Sequence, residues 1–246
     1  MGRPRILVTG ASRRIGRALA VELARRECDL VLTSRAGKAG LFETVAAVTV
    51  AAPDSEPMLA ELHLDDPESI AALAASIGEG PLDGIVHNAS SYEGGDLDTL
   101  DHPTLHRDLD VHAVGPLLLT RALRGALERS TLPARPAVVM PLDIHAAGRP
   151  RRGFASYLLA KAAMGALVEL LAVELGPAIR SVGVSLGAVL WPEGSDPDTI
   201  QRYEMRVPLE RSGTGDDAVA AIAWALLEAS FVTGTTVRVD GGRWLR

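Results

Sequence analysis

The chain is poor in cysteine, lysine and aromatic residues, and each shortage excludes something. A single cysteine, Cys28, in 246 residues rules out an internal disulfide framework and a cysteine-based zinc site, and it suits a reducing compartment. No apolar run approaches the roughly 20 residues that cross a bilayer. The opening stretch "MGRPRILVTG" is interrupted too soon to be the apolar core of a signal peptide. A cytoplasmic protein with no membrane partner is therefore expected. The formal net charge of −6 lacks the basic face that a phosphate backbone demands, so nucleic acid is not an expected partner. Among 25 basic residues only Lys38 and Lys161 are lysine. A lysine retained against so strong a preference for arginine invites a chemical reason.

What the chain does have is alternation. Short apolar runs at 5–9, 29–33, 58–64, 83–87, 137–142, 181–186 and 236–239 read as strands. Segments with helical periodicity lie between them: 14–26, 66–77 with Asp66 as cap and Pro67 at the first helical position, 104–129, 156–175 and 216–229. Segment 36–52 reads as helix despite its β-branched residues. Strands alternating with helices predict an α/β fold, a Rossmann-type doubly wound parallel sheet with helices on both faces. No internal repeat or long linker divides the chain, so residues 1–246 are expected to form one domain. The stretch 187–215 is the longest irregular region. At a strand's carboxyl end it is a candidate lid over a ligand.

Two constellations carry chemistry. The first is "TGASRRIG" at 9–16, a strand-to-helix turn with Gly10 and Gly16 but Arg14 at the usual place of a middle glycine. The following strand ends in "LTSRAGK", which offers Ser34 and Arg35 and no carboxylate for a ribose 2′-hydroxyl. A hydroxyl and guanidinium groups, Arg13 among them, suit a 2′-phosphate instead, which favours NADPH over NADH. The second constellation is Tyr157 and Lys161, four apart on one helix face. An ammonium beside a phenol is expected to lower the tyrosine's pKa and so equip it as a general acid.

TGxxxxIG, "HNAS" at 87–90, Tyr-x-x-x-Lys and "FVTGTTVRVDGG" at 231–242 together resemble the short-chain dehydrogenase/reductases, in family order from Thr9 to Gly242. Arg14, "NASS" at 88–91, and an aspartate where most members place a catalytic serine resemble one branch, the pteridine and dihydromonapterin reductases. That resemblance implies an NADPH-dependent reductase of a pteridine C=N bond, working as a homotetramer on a small-molecule substrate. It implies Asp143, Tyr157 and Lys161 as catalytic residues. Gly10, Ser12, Arg13, Arg14, Ile15, Ser34, Arg35, Leu64, Asn88, Ala89, Lys161 and Gly187 would hold the cofactor. Arg14, Ser90, Tyr92, Asp143 and Tyr157 would meet the substrate, with Tyr92 stacked on its ring.

Asp143 lies one residue farther from Tyr157 than the family spacing, which places an insertion within "HAAGRPRRG". His112 stands at the family's central-helix asparagine, as a proton-path residue or a buried structural one. His102 and His106, near Asp101, lack an evident third ligand, and no metal is expected. Two other functions fit these residues: a carbonyl reductase whose Asp143 replaces the serine, and a non-catalytic NADP(H)-sensing regulator. Retention of both Tyr157 and Lys161 argues against the sensor, which needs no proton donor.

Overall fold

The computed structural model describes residues 2–246. The first strand, β1 (Arg5–Val8), has three fully buried residues, Ile6, Leu7 and Val8, in the middle of the sheet. It is followed by α1 (Arg14–Arg25), β2 (Asp29–Ser34), a 3-10 turn at Lys38–Leu41, α2 (Phe42–Ala51), β3 (Met58–Glu61), α3 (Pro67–Ile77) and β4 (Gly84–Val86). The second half adds α4 (His102–Leu109), α5 (Gly115–Glu128), β5 (Ala137–Asp143), α6 (Ala155–Leu175), β6 (Arg180–Leu186), α7 (Pro197–Glu204), α8 (Gly215–Leu227) and β7 (Thr235–Val239).

The seven strands form one parallel sheet in the order β3-β2-β1-β4-β5-β6-β7. The order reverses between β1 and β4, and at such a switch point an open α/β sheet leaves a crevice at its carboxyl edge. Apolar strands covered on both faces make two cores. One packs α1, α2 and α8 against the sheet through Leu19, Leu23, Val48, Ile222 and Leu226. The other packs α3, α5 and α6 through Leu73, Leu119, Leu123, Met164 and Val168. Cys28, just before β2, is buried, and desolvation raises its thiol pKa to about 11.

Capping follows local chemistry. Asp66 accepts the Glu68 N–H at the start of α3, with Pro67 in the first turn. Thr214 and Asp217 cap each other at the start of α8, and Arg211 grips the Asp217 carboxylate with two nitrogens, at 2.7 and 3.1 Å.

Three expectations need correction. The helix expected over 104–129 is two helices joined by a π-turn at Asp110–Val114, the kind of helical defect that recurs at functional sites. The strand expected over 58–64 ends at Glu61, so His63 and Leu64 lie on the loop beyond it. The region 187–215 contains α7, started by Asp196, which accepts N–H groups from Asp198 and Thr199. Segment 36–52 is helical in two pieces. There Val48 is buried and the Thr44 hydroxyl donates to the Ala11 carbonyl at 2.8 Å, so burial overrides β-branched propensity.

Candidate active site

The carboxyl edge of β1 begins the site with close backbone contacts. Gly10 has φ +64°, and a Cβ there would lie 2.7 Å from the Ala89 Cα. At Gly16 a Cβ would lie 2.3 Å from the Gly10 carbonyl and 2.5 Å from Asn88 Nδ2. Asn88, the chain's one asparagine, donates from Nδ2 to the Thr9 and Gly10 carbonyls at 3.0 and 2.9 Å. The Ala89 N–H donates to Thr9 Oγ1 at 3.0 Å. The turns after β1 and β4 are thus locked together. Arg13, a poor cap residue, stands at the start of α1, where no side chain caps the first turn. Ser12 is half-buried and Ile15 packs on the neighbouring core.

Arg14 has φ +51°, a left-handed conformation that suits glycine and strains other residues. The backbone therefore keeps the geometry of the glycine it replaces. Its exposed guanidinium donates to the Leu190 carbonyl of the 187–215 region at 2.6 Å, tying the turn to the candidate lid.

At the end of β2, Ser34 is buried and its hydroxyl serves its own turn, accepting from the Ala36 N–H at 3.1 Å and donating to the Gly37 carbonyl at 3.3 Å. Arg35 is exposed and pairs with Asp65 at 3.2 Å. Such an exposed pair is weak and easily re-aimed. Leu64 is buried, and its carbonyl sits so near Gly115 that a Cβ there would approach to 2.5 Å. Gly187 donates its N–H to the Val239 carbonyl at 3.0 Å. It borders a cavity of about 480 Å³ between the Pro208–Gly213 region and the end of β7, which Asp143 and Tyr157 do not line.

The second half of the site is made of side chains. The end of β5 presents Asp143, half-buried, and α6 presents Tyr157 and Lys161 from one buried face. The Tyr157 hydroxyl donates to Asp143 Oδ2 at 3.2 Å, while Asp143 Oδ1 accepts the His145 N–H at 2.7 Å. One carboxylate thus both caps the turn at 144–147 and meets the phenol.

The lysine effect expected from the sequence is overturned. Lys161 donates to the Pro141 carbonyl at 2.9 Å and lies 6.0 Å from the Tyr157 ring centre. Burial, and then the Asp143 carboxylate, push the Tyr157 pKa well above its ordinary value. Burial lowers Lys161 to about 8, opposed by Asp143. A phenol so raised keeps its proton at neutral pH and is the weaker acid for it.

His112, in the π-turn, is fully buried. Its Nδ1 lies 2.8 Å from the Asp108 carbonyl, which can only accept, so Nδ1 carries the hydrogen. Nε2 is left to accept from the Ser90 hydroxyl at 2.9 Å. Burial, with Lys161 nearby, lowers the His112 pKa to about 3, so the ring stays neutral. Ser91 donates to the buried Asp108 carboxylate at 2.8 Å.

Tyr92 is half exposed, edge-on to Tyr157 with ring centres 5.0 Å apart, and stacked on Phe154 at 4.9 Å. Phe154 and Arg151, whose guanidinium lies 3.5 Å from the Tyr92 hydroxyl, were not among the residues expected from the sequence. The signal was available for Phe154, which precedes Tyr157 by three positions, close to one helical turn. His102 and His106 stack at 3.9 Å, and among the described residues no group of three His, Cys, Asp or Glu side chains is placed to hold a metal ion.

A family described as Enoyl-(Acyl carrier protein) reductase matches residues 10–243. The 3beta-hydroxysteroid dehydrogenase 1 of Eggerthella lenta is 30% identical, over 98% of this chain and 93% of that protein. The L-xylulose reductase of Caenorhabditis elegans is 28% identical over 97% and 94%, and the dihydromonapterin reductase of Klebsiella pneumoniae 26% over 98% and 97%. The solved structure of levodione reductase superposes with a TM-score of 0.88 at 23% identity, covering 100% of this chain and 99% of that one. The chain belongs to the short-chain dehydrogenase/reductase family, oxidoreductases that use a nicotinamide cofactor. Its residues fit such a dinucleotide. The start of α1 carries no side-chain cap, so its first N–H groups can serve the oxygens of a pyrophosphate. Among the described residues no helix is long and apolar enough to cross a membrane.

Proposed function

We propose that the protein is an NADPH-dependent reductase of a pteridine C=N bond. The observation that carries this reading is the 3.2 Å hydrogen bond from the Tyr157 hydroxyl to the Asp143 carboxylate. Hydride addition to a C=O or a C=N bond alike builds negative charge that a proton must quench. A pteridine differs from a simple ketone in carrying ring N–H and amino donors, which a carboxylate beside the phenol can accept.

The bound cofactor supplies the hydride. Tyr157 delivers the proton to the ring nitrogen as the end of a relay with Asp143, which is hydrogen-bonded to the phenol, and Lys161. The Lys161 ammonium remains in the pocket, anchored on Pro141, and offsets the phenolate that forms. Tyr92 offers a face to a planar heterocycle, and Arg14 reaches from the pyrophosphate turn toward its edge. Ser12, Ile15, Leu64, Asn88, Ala89 and Gly187 would line the dinucleotide, and Ser90 would meet pterin or ribose. Selection of the 2′-phosphate rests on Arg13 and Arg35, with Ser34 shaping the turn below them. A homotetramer is supported by the open edge strand β7 and by the exposed Leu159, Leu170 and Val173 on α6 and Phe231 beyond α8. A cytoplasmic setting fits the single buried cysteine.

The second reading is a carbonyl reductase, favoured by the names of two relatives, an L-xylulose reductase and a D-erythrulose reductase from Gallus gallus. NADPH oxidation with 7,8-dihydrobiopterin and dihydromonapterin, set against a panel of ketoses and ketones, separates the two. Turnover on the dihydropterins is expected, and turnover confined to ketones overturns the pteridine reading. In the same assay Arg14→Gly should raise the pterin KM about tenfold while changing NADPH binding less. The reverse order would remove Arg14 from the substrate site.

A further inference from the structure

The loop between β5 and α6 reads "GRPRRG" over 148–153, three arginines in six residues of a chain with net charge −6. Arg149 is engaged by the Arg246 carbonyl at the chain's end. Arg151 and Arg152 are exposed and form no ion pair with the carboxylates of the described residues. The nearby acids are otherwise committed, Glu93 to Arg107 at 2.9 Å and Asp143 to Tyr157 and His145.

Arg151 is nonetheless placed. Its guanidinium lies over the Phe154 ring at 5.1 Å from the centre and 3.5 Å from the Tyr92 hydroxyl. A ring face and a phenol hold one side of the group, and the remaining donors stay exposed. The same Tyr92 touches Tyr157 edge-on and stacks on Phe154. An unbroken wall therefore runs from the proton donor to an unpaired guanidinium: Tyr157, Tyr92, Phe154, Arg151. A guanidinium recognises carboxylate and phosphate oxygens with paired donors.

We infer that Arg151, at the far end of this wall from Tyr157, is a specificity-determining residue that binds an anionic group on the substrate's tail, a carboxylate or a phosphate ester remote from the reduced ring. This inference rests on the pteridine reading and deepens it. The heterocycle lies toward Tyr92 and Tyr157, and the tail leaves along Phe154 toward Arg151. A tail carrying only hydroxyl groups would leave that guanidinium to solvent.

The test uses the full chain with NADPH and three substrates sharing one ring. These are dihydromonapterin with its polyol tail, 7,8-dihydrofolate with its carboxylates, and 7,8-dihydroneopterin monophosphate. At least one anionic substrate is expected to show a KM about tenfold below that of the polyol, rising steeply with added salt as an exposed charge contact should. Arg151→Gln should abolish most of that preference through KM, lowering the ratio of kcat/KM for anionic over polyol substrate about tenfold. Arg151→Lys, which keeps the charge and loses the paired donors, should recover part of it. Which anionic substrate responds identifies the tail chemistry. Equal kcat/KM on all three, or a ratio that Arg151→Gln leaves unchanged, overturns the inference while the pteridine reading survives. Absence of turnover on all three removes both. Thermal unfolding of each variant, expected to match the parent because the side chain is exposed, guards against a folding artefact.

Discussion

The two halves of the site are made of different material. On the β1 and β4 side, Gly10, Gly16, Thr9, Asn88 and Ala89 pack closely on one another, and each of their hydrogen bonds has a main-chain partner. On the β5 and α6 side, Asp143, Tyr157, Lys161, Tyr92, Phe154 and Arg151 supply charge, hydroxyls and ring faces. The first half is a mould, and its tolerance for change is set by space. The second is a set of reagents, and its tolerance is set by chemistry. Arg14 has a glycine-like backbone in the mould and a guanidinium that ties it to Leu190, in the region beyond β6.

Three changes sharpen or break that contrast. The largest effect is expected from Tyr157→Phe, which removes a proton donor and little volume. Its kcat should fall by about a thousandfold, with NADPH binding and melting temperature held near the parent's. A loss of fold instead would mean that the reagent half is also structural. Next comes Gly16→Ala, where the added methyl meets the Gly10 carbonyl and Asn88. Crowding of this kind costs about 1–3 kcal/mol, read by denaturant unfolding, and dinucleotide affinity should fall with it. A silent Gly16→Ala would show that the mould is looser than its distances imply.

The smallest effect is on acid stability. His87 and His112 are buried and neutral, and burial lowers both pKa values from 6.5 to about 3. Between those limits the unfolded chain binds more protons than the native one, so stability is full above about pH 6.5 and is lost as the pH falls toward 3. His112→Asn should flatten that slope, measured as melting temperature from pH 7 to 4. An unchanged slope would mean that His112 is already charged in the fold.

Much of this was legible in the sequence, and the parts that were not have physical reasons. Alternating apolar runs were enough for the sheet and its flanking helices, because a strand buried on both faces leaves a compositional trace. The Tyr157–Lys161 spacing was enough to put both side chains on one face of α6. The direction of the tyrosine's pKa was not legible, since it depends on where the Lys161 ammonium turns and on how deeply the phenol is buried. The π-turn at Asp110–Val114 left no trace in helical periodicity, because it inserts a bulge without interrupting the apolar face. Ser34 was expected to meet the cofactor; its service to its own turn, common for a serine at such a place, was not read from the sequence. Asp143 could be named only because a resemblance pointed to it, and in the fold it lies 3.2 Å from the Tyr157 hydroxyl.

The sealed position of Cys28 has a practical side. With the thiol pKa near 11 and the sulfur out of contact with solvent, it is a poor target for alkylating reagents, which attack the thiolate. A cysteine introduced anywhere on the outside of the protein therefore becomes its one readily labelled atom. Placed on α7, it would let a fluorophore report whether that region moves during a single turnover, with no background from the parent chain.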